Sequence, residues 1–189
     1  MKLLRTIRLD PSDSFVYERA AVAGEWAVPG GFEFWGVDVP ALQGRPRQAF
    51  RGGFLGLSSF GWSTLAVAVP ITAEERAGAV ESLAHYLVQA HGAPDLAHAR
   101  TAAEEEIAAA ISLADHPEGT LIALHRSQDK DGSIREQFRT LRPADAQEAA
   151  RMPCSAGAFA IVEDEDASSP GDEVSLLGLA GNDSDRTAP

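Results

Sequence analysis

Residues 63–92 constrain the fold more than any other part of this sequence. Residues 65–71 read LAVAVPI, an uncharged apolar run that predicts a strand covered on both faces and ended by its proline. Thr72 and Glu75 then form the capping-box pattern of a helix start, and Gly92 is placed to end that helix. The apolar stripe predicted for the helix comprises Ala73, Ala77, Val80, Leu83, Ala84, Leu87, Val88 and His91.

The segments before this unit are rich in β-branched and aromatic residues, which favour strands. A loop of glycine, proline and arginine interrupts them at residues 40–47. The predicted strands are residues 3–9, 15–20, 26–28 continued by 31–37, and a glycine-broken strand over 48–59.

A second helix and a hairpin follow. The helix begins at Asp95 or at Thr101, since both are capping residues, and its alanine-rich stripe predicts close packing on the sheet or on the first helix. Residues 120–125 and 134–141 flank an Asp-Gly turn and predict a hairpin. The predicted fold class is therefore α+β, a mainly antiparallel sheet with two amphipathic helices packed on one face and a C-terminal hairpin.

Charge divides the chain into a body and a tail. The net charge is −12; residues 163–189 hold eight acids and one arginine, and residues 1–162 hold 20 acids and 15 basic residues. We predict a single α+β domain over 1–143, a short helix or strand extension over 144–162, and an acidic disordered tail over 163–189 that offers a site for a protein partner. The mildly acidic body argues against nucleic-acid binding, which needs a positive surface.

Targeting signals are not evident. No run approaches the roughly 20 apolar residues needed to span a membrane, and Arg5 and Arg8 interrupt the N-terminus where a signal peptide would be apolar. Cys154 is the single cysteine, which excludes an internal disulfide and a multi-cysteine metal site. We expect a cytoplasmic protein that binds neither membranes nor nucleic acids.

An acid-free stretch provides the ligand-site hypothesis. No acidic residue occurs between Asp38 and Glu74, and three arginines lie there beside two glycines, in the part of the chain where the aromatic residues are concentrated. Guanidinium groups grip carboxylates and phosphates, and glycine lets backbone N–H groups approach an anion. An alternative interpretation makes the aromatics core residues and the arginines a solvated loop. The residues predicted to bind a ligand in an arginine-lipped aromatic cleft are Trp35, Arg45, Arg47, Arg51, Gly52, Gly53 and Trp62.

Other reactive residue types show no catalytic or metal-binding pattern. The sequence has no His-x-x-x-His pair, and residues 56–61 (GLSSFG) miss the spacing of a nucleophile elbow. The three glutamates at 104–106 spread around a helix and are interpreted as a solvated face. No phosphate-binding loop or dinucleotide fingerprint occurs. We therefore predict no catalytic residue, no bound metal and no cofactor.

Two stretches carry a family resemblance. The opening MKLLRTIRLDPSDSFVYERAAVAGEWAVPGGFEF and the later GFLGLSSFGWSTLAVAV resemble a small uncharacterised family of soluble bacterial proteins, a domain of unknown function. The resemblance covers residues 1–143. It implies that the protein accompanies molybdenum-dependent formate dehydrogenase and related maturation factors in an accessory role, and it transfers no catalytic residue.

Three functional hypotheses remain open. The leading one is a non-catalytic binding or assembly accessory, because the sequence has no set of residues that would converge on one catalytic centre. The second is a small-molecule enzyme or binder that holds an anionic ligand in the arginine-lipped aromatic cleft. The third is a structural or oligomer-forming role, and the sequence leaves the oligomeric state undefined.

Overall fold

The computed structural model describes residues 1–8, 12–143 and 159–162. Within these ranges eight strands form one sheet: β1 (Lys2–Ile7), β2 (Trp26–Val28), β3 (Phe54–Gly56), β4 (Trp62–Ser63), β5 (Leu65–Pro70), β6 (Leu121–Gln128), β7 (Ile134–Pro143) and β8 (Phe159–Val162). Their order across the sheet is β4-β3-β2-β1-β5-β6-β7-β8, and every neighbouring pair is antiparallel.

The described α-helices are α1 (Asp13–Val16), α2 (Gly44–Gly52), α3 (Ala73–His91) and α4 (Leu96–Leu113), and two 3-10 turns cover Gly31–Phe34 and Val39–Ala41. Buried residues of α3 and α4 join those of the central strands in one hydrophobic core. The predicted α+β class, an antiparallel sheet with a helix pair on one side, is confirmed.

The unit formed by β5 and α3 has the predicted helix caps. The Thr72 hydroxyl accepts a hydrogen bond from the Glu75 backbone N–H at 3.1 Å, and the Glu75 carboxylate accepts one from the Thr72 N–H at 3.0 Å. Gly92 ends α3 with a left-handed φ of 67°, a conformation that glycine adopts without strain. Local sequence therefore determines both ends of this helix.

Burial around this unit differs from the prediction in two respects. Alternate residues of β5, Ala66 and Ala68, are fully buried, while the residues between them are only half-buried, so one face of the strand is covered more completely than the other. The predicted stripe of α3 was wrong at Ala73 and Ala77, which are exposed at a helix end that extends past the core. His91 is exposed as a whole residue, but its side chain is 28% exposed and its ring meets that of Phe32 edge-on at 5.3 Å. The buried stripe of α3 is Ala79, Val80, Leu83 and Ala84.

The second helix begins at the earlier of its two possible caps. The Asp95 carboxylate accepts a hydrogen bond from the His98 N–H at 2.9 Å, and α4 starts directly after it. Its buried stripe consists mainly of alanines, which let α4 approach α3 on one side and strands β1 and β2 on the other.

The C-terminal hairpin is confirmed. Strands β6 and β7 pair from Leu121 opposite Leu141 to Gln128 opposite Ile134, and the turn closes with the Asp129 N–H donating to the Ser133 carbonyl. Strand β8 pairs with β7 at the sheet edge. The helix predicted within 144–152 and the acidic tail at 163–189 lie outside the described residues.

The strand predicted at 15–20 was wrong, because a helical turn, α1, occupies its start. The Asp13 carboxylate accepts a hydrogen bond from the Thr64 hydroxyl at 2.6 Å, and the Tyr17 hydroxyl lies 3.1 Å from the same Thr64 oxygen. One helical turn brings positions 13 and 17 to the same side. Phe15 is left 72% exposed.

The strands predicted at 31–37 and 48–59 were also wrong over most of their length. Residues 26–28 do form β2, but the chain then turns at Gly30, whose φ of 73° is left-handed, into the 3-10 turn at Gly31–Phe34. In the second segment helix α2 runs to Gly52, and only Phe54–Gly56 form a strand. The aromatic part of the chain therefore consists mainly of short helices and turns.

Candidate functional site

An open cleft of about 520 Å³ lies between α2, the 3-10 turn at Gly31–Phe34 and the connection from β3 to β4. We call it the Trp62 cleft. Its lining includes three aromatic and four charged side chains: Phe34, Phe60 and Trp62, with Glu18, Arg19, Glu33 and Arg45.

Stacked aromatic rings form the floor of the Trp62 cleft. The ring centroids of Phe34 and Trp62 are 5.4 Å apart with an interplanar angle of 28°, and Phe50 meets the Phe34 ring edge-on at 5.2 Å. Phe34 and Phe50 are buried, whereas Trp62 is half-buried and keeps part of its ring at the cleft surface. A flat aromatic surface of this kind favours contact with a planar ligand group.

Phe60 forms a wall of the cleft in a strained conformation. Its φ of 49° makes it the one non-glycine residue with left-handed backbone among the described residues. Its ring stacks on Tyr86 of α3 with centroids 3.8 Å apart and planes within 6°. The surrounding contacts hold this strained residue, a situation that is common at functional sites.

The Glu25 carboxylate holds the turn that carries Phe60. Its Oε2 accepts hydrogen bonds from the N–H groups of Ser58 and Ser59 at 2.6 and 2.7 Å, and its Oε1 accepts one from the Val22 N–H at 2.6 Å. The Ser59 hydroxyl donates to the same carboxylate. Glu25 is only 8% exposed, so an acid far from the turn in sequence fixes the position of a cleft wall.

Helix α2, which supplies Arg45 to the cleft, is anchored by a buried guanidinium. Arg126 of β6 is 1% exposed, and its Nη1 donates to the carbonyls of Ala49, Phe50 and Gly53 at 3.4, 3.2 and 2.9 Å. These carbonyls lie at the C-terminal end of α2, where a positive charge is favourable. Nη2 of Arg126 donates to the Pro29 carbonyl, and Nε donates to Glu136 at 2.6 Å.

One of the cleft carboxylates is already engaged by the protein. Glu33 Oε1 lies 3.1 Å from Nε2 of His91, and Glu33 also accepts a hydrogen bond from Tyr86. Burial, followed by the bond to Glu33, raises the pKa of Tyr86 above its ordinary value, so the phenol stays a proton donor. The charged groups left for a ligand are the exposed side chains of Glu18, Arg19 and Arg45.

The three predicted arginines do not converge on one cavity. Arg45 lines the Trp62 cleft, whereas Arg47 and Arg51 line a separate groove with His125. The separation follows from the helical conformation, because residues four apart share a helix face and residues two apart do not. Of the predicted ligand residues, only Arg45 and Trp62 are brought together in the Trp62 cleft.

The remaining predicted ligand residues have other surroundings. A Cβ atom on Gly53 would lie 2.6 Å from the Trp62 ring and 2.9 Å from the Ala49 carbonyl, so this glycine is required for packing. A Cβ on Gly52 would lie 3.2 Å from the Leu124 carbonyl. Trp35 is 78% exposed and borders a different pocket.

Sequence reasoning missed the residues that shape the cleft from a distance. Glu25 lies in the connection before β2 and Arg126 lies on β6 just past the predicted strand at 120–125, and neither belongs to a motif. Glu106 belongs to a run interpreted as solvated, yet it is partly buried, and its Oε1 accepts a hydrogen bond from the Gly30 N–H at 3.0 Å. Its position three residues after buried Ala103 was the one available signal, since residues three apart share a helix face.

Two further findings concern only the part of the chain that the structure describes. No group of three or more His, Cys, Asp or Glu side chains is arranged to hold a metal ion among residues 1–8, 12–143 and 159–162. No helix in those ranges is both long enough and apolar enough to cross a bilayer.

The fold and the cleft define the class: a mixed α+β protein with a helix pair on one side of an antiparallel sheet and an open aromatic cleft. The chain belongs to the family of unknown function DUF6505, whose family model matches residues 1–155. The resemblance to an uncharacterised family is thereby confirmed. No curated protein and no solved structure matches the chain.

Proposed function

We propose that this protein is a non-catalytic binding protein whose ligand site is the Trp62 cleft, and that the ligand combines a planar group with an anionic group. The observation that carries the proposal is the stacked pair of Phe34 and Trp62 at the floor of an open cleft that Arg19 and Arg45 also line. Apolar surface with a few charged groups at its rim is typical of ligand sites.

The charges around the cleft favour an anion over a cation. Glu33 is engaged by Tyr86 and His91, which leaves two guanidinium groups against the single carboxylate of Glu18. Guanidinium groups bind carboxylates and phosphates through paired hydrogen bonds. The planar part of the ligand would lie against Trp62, and its acidic part would reach Arg45.

Removal of the Arg45 guanidinium is expected to weaken this binding. Benzoate and adenosine monophosphate serve as planar anionic probes, with benzamide and adenosine as neutral counterparts. We expect the anionic probes to bind more tightly than the neutral ones, and Arg45→Ala to weaken the anionic probes about tenfold by loss of a charged hydrogen bond. Isothermal titration calorimetry measures both differences.

Arg47→Ala is the matched control, because Arg47 lies on the same exposed helix α2 but lines the other groove. We expect its affinity for the probes to equal that of the wild type. An equal loss in both variants would assign the effect to the net charge of the helix. Absence of binding by all four probes would remove the proposed ligand class.

We propose in addition that the protein serves as an assembly accessory whose partner binds through residues 163–189, with molybdenum-dependent formate dehydrogenase or one of its maturation factors as the partner that the resemblance implies. A chain ended at residue 162 keeps every described strand. We expect a co-expressed partner to be retained by the full chain and lost from the shortened one in a pull-down. Equal retention would place the contact on the body, and no retention by either would remove this role.

A further inference from the structure

Trp35 lies over a small acidic pocket on another part of the surface. It follows the 3-10 turn at Gly31–Phe34 and is the most exposed of the large apolar side chains described, at 78%. We call the cavity of about 230 Å³ beside it the Trp35 pocket, and its lining includes Phe32, Ile134, Glu106 and Glu136. A tryptophan ring with this much of its apolar surface in water is costly, and tryptophan is enriched at contact surfaces.

The two carboxylates of this pocket share one cation. Glu136 receives the Nε–H of Arg126 at 2.6 Å. Within the described part of the chain, Glu106 receives the Gly30 backbone N–H at 3.0 Å and no side-chain hydrogen bond. The other guanidinium nitrogens of Arg126 donate to backbone carbonyls. One negative charge in the Trp35 pocket is therefore left without a partner of opposite charge among these residues.

Protonation behaviour agrees with this surplus of negative charge. Burial raises the pKa of the Glu106 carboxyl above its ordinary value, and the neighbouring Glu136 carboxylate raises it further. The Gly30 hydrogen bond and the Arg126 charge oppose the increase only in part. A second cation would favour the ionised form of Glu106 and relieve the repulsion between the two carboxylates.

We propose that the Trp35 pocket receives an arginine side chain of a partner protein, with the guanidinium hydrogen-bonded to Glu106 and Glu136 and stacked against the Trp35 ring. The guanidinium is planar, so it can pair with carboxylates through its edge and stack on an aromatic ring through its face. An ammonium group is a compact point charge without such a plane. The volume of about 230 Å³ is smaller than a site for a drug-sized molecule and suits one side-chain head group.

Charge complementarity identifies the occupant. Residues 1–162 hold 20 acids against 15 basic residues and residues 163–189 hold eight acids against one arginine, so both parts attract a partner with a basic surface, and the Trp35 pocket provides a specific contact for one of its side chains. This site is distinct from the Trp62 cleft, which has two guanidinium groups of its own. The proposal for the Trp35 pocket and the proposal for the Trp62 cleft can therefore be tested independently.

The test uses the full chain and N-acetyl-arginine amide as the probe, with the neutral citrulline analogue as its isostere. The indole N–H signal of Trp35 in a proton–nitrogen NMR spectrum, assigned by its loss in Trp35→Phe, reports occupancy. We expect the arginine probe to shift the indole signal saturably, with a dissociation constant on the order of millimolar because so small a ligand makes few contacts. We expect no saturable shift with the citrulline analogue.

Two variants separate the parts of the site. Glu106→Gln keeps an acceptor for the Gly30 N–H but removes the charge, and we expect it to weaken binding about tenfold, followed at the indole signal. Glu105→Gln, an exposed neighbour on α4 outside the pocket lining, is the matched control and is expected to bind as the wild type. Trp35→Ala is expected to weaken binding about fivefold, followed at backbone amides around the pocket.

Any of three results would overturn the proposal: no saturable shift with the arginine probe, an equal shift with citrulline, or equal weakening in the Glu105 and Glu106 variants. If Glu106→Gln lowers the melting temperature, Trp35→Ala becomes the variant that decides the outcome, because an exposed side chain can be removed without unfolding the core. Unchanged affinity in Trp35→Ala would then be decisive against the site.

Discussion

Replacement of Arg126 by methionine is expected to lower the free energy of unfolding by about 3–5 kcal/mol, the range found when one member of a buried ion pair is removed. The guanidinium of Arg126 donates to four backbone carbonyls and to Glu136, and its side chain is 1% exposed. Methionine fills much of the space but donates no hydrogen bond. All five acceptors would lose the guanidinium, and within the described part of the chain only the Ala49 carbonyl keeps a further donor, the Gly53 N–H at 3.0 Å, so the loss is costly. Urea denaturation followed by circular dichroism measures the change.

Arg135→Met on the neighbouring strand β7 is the control for this prediction. Arg135 pairs with Asp129 at 2.8 Å, but the arginine side chain is 55% exposed, so the pair is screened by water. We expect a loss below about 1 kcal/mol. If Arg126→Met costs no more than Arg135→Met, the buried guanidinium does not hold helix α2 in place.

The same substitution has a local consequence that distinguishes anchoring from general stability. The carbonyls of Ala49, Phe50 and Gly53 belong to the end of α2, so loss of Arg126 should loosen this helix before the rest of the domain. Hydrogen exchange of α2 amides is expected to accelerate more than that of α3, whose caps are formed by its own neighbouring residues. Equal acceleration throughout would indicate a global effect only.

Helix α2 also shows why part of the fold could not be predicted. The caps of α3 and the start of α4 depend on residues within five positions of each other, and both helices could be predicted from the sequence. The end of α2 depends on Arg126, which is 77 positions from Ala49. The turn after Gly30 depends in the same way on Glu106, 76 positions away. Interactions at such separation leave no local pattern.

The predicted ligand site depended on the same segment, that of helix α2. The sequence predicted a loop over 40–47 and a strand over 48–59, which left the side on which each arginine lies undefined, whereas residues 44–52 form one helix. On helix α2, Arg47 and Arg51 share a face and Arg45 projects elsewhere, and the structure accordingly divides them between a groove and the Trp62 cleft. The aromatic content of the region could be predicted from the sequence. The choice of arginine depended on its secondary structure.

Replacement of Glu25 by alanine is the second prediction with a large expected effect, a loss of about 3 kcal/mol or more in the free energy of unfolding. Three backbone N–H groups and the Ser59 hydroxyl donate to this carboxylate. These four hydrogen bonds are only partly buried, and hydrogen bonds to a charged group contribute about 1.5–3 kcal/mol each at most, so their joint loss, and not the full buried penalty for each donor, gives the expected value. Glu118→Gln, at an exposed acid between α4 and β6, is expected to change stability by less than about 0.5 kcal/mol. Thermal and urea unfolding measure both variants.

Glutamine at position 25 distinguishes the shape of the side chain from its hydrogen bonding. Its size matches that of glutamate, but in one orientation its NH₂ group faces the N–H groups of Ser58 and Ser59, and in the other it faces the N–H of Val22. Each orientation sets a donor against a donor, so Glu25→Gln should lose most of what alanine loses. Near wild-type stability in the glutamine variant would show that the carboxylate is not the acceptor for these donors.

Glu25 also tests the link between the turn and the Trp62 cleft. The Glu25 carboxylate accepts hydrogen bonds from the N–H groups of residues 58 and 59 and so fixes their positions. The next residue is the strained Phe60, which lines the cleft. Glu25→Gln should therefore weaken the planar anionic probes under conditions where the variant is still folded. The Trp35 pocket, whose lining includes none of residues 58–60, should keep its affinity for the arginine probe. Equal weakening at both sites would indicate partial unfolding. Weakening at the cleft alone would identify Glu25 as the residue that positions its wall.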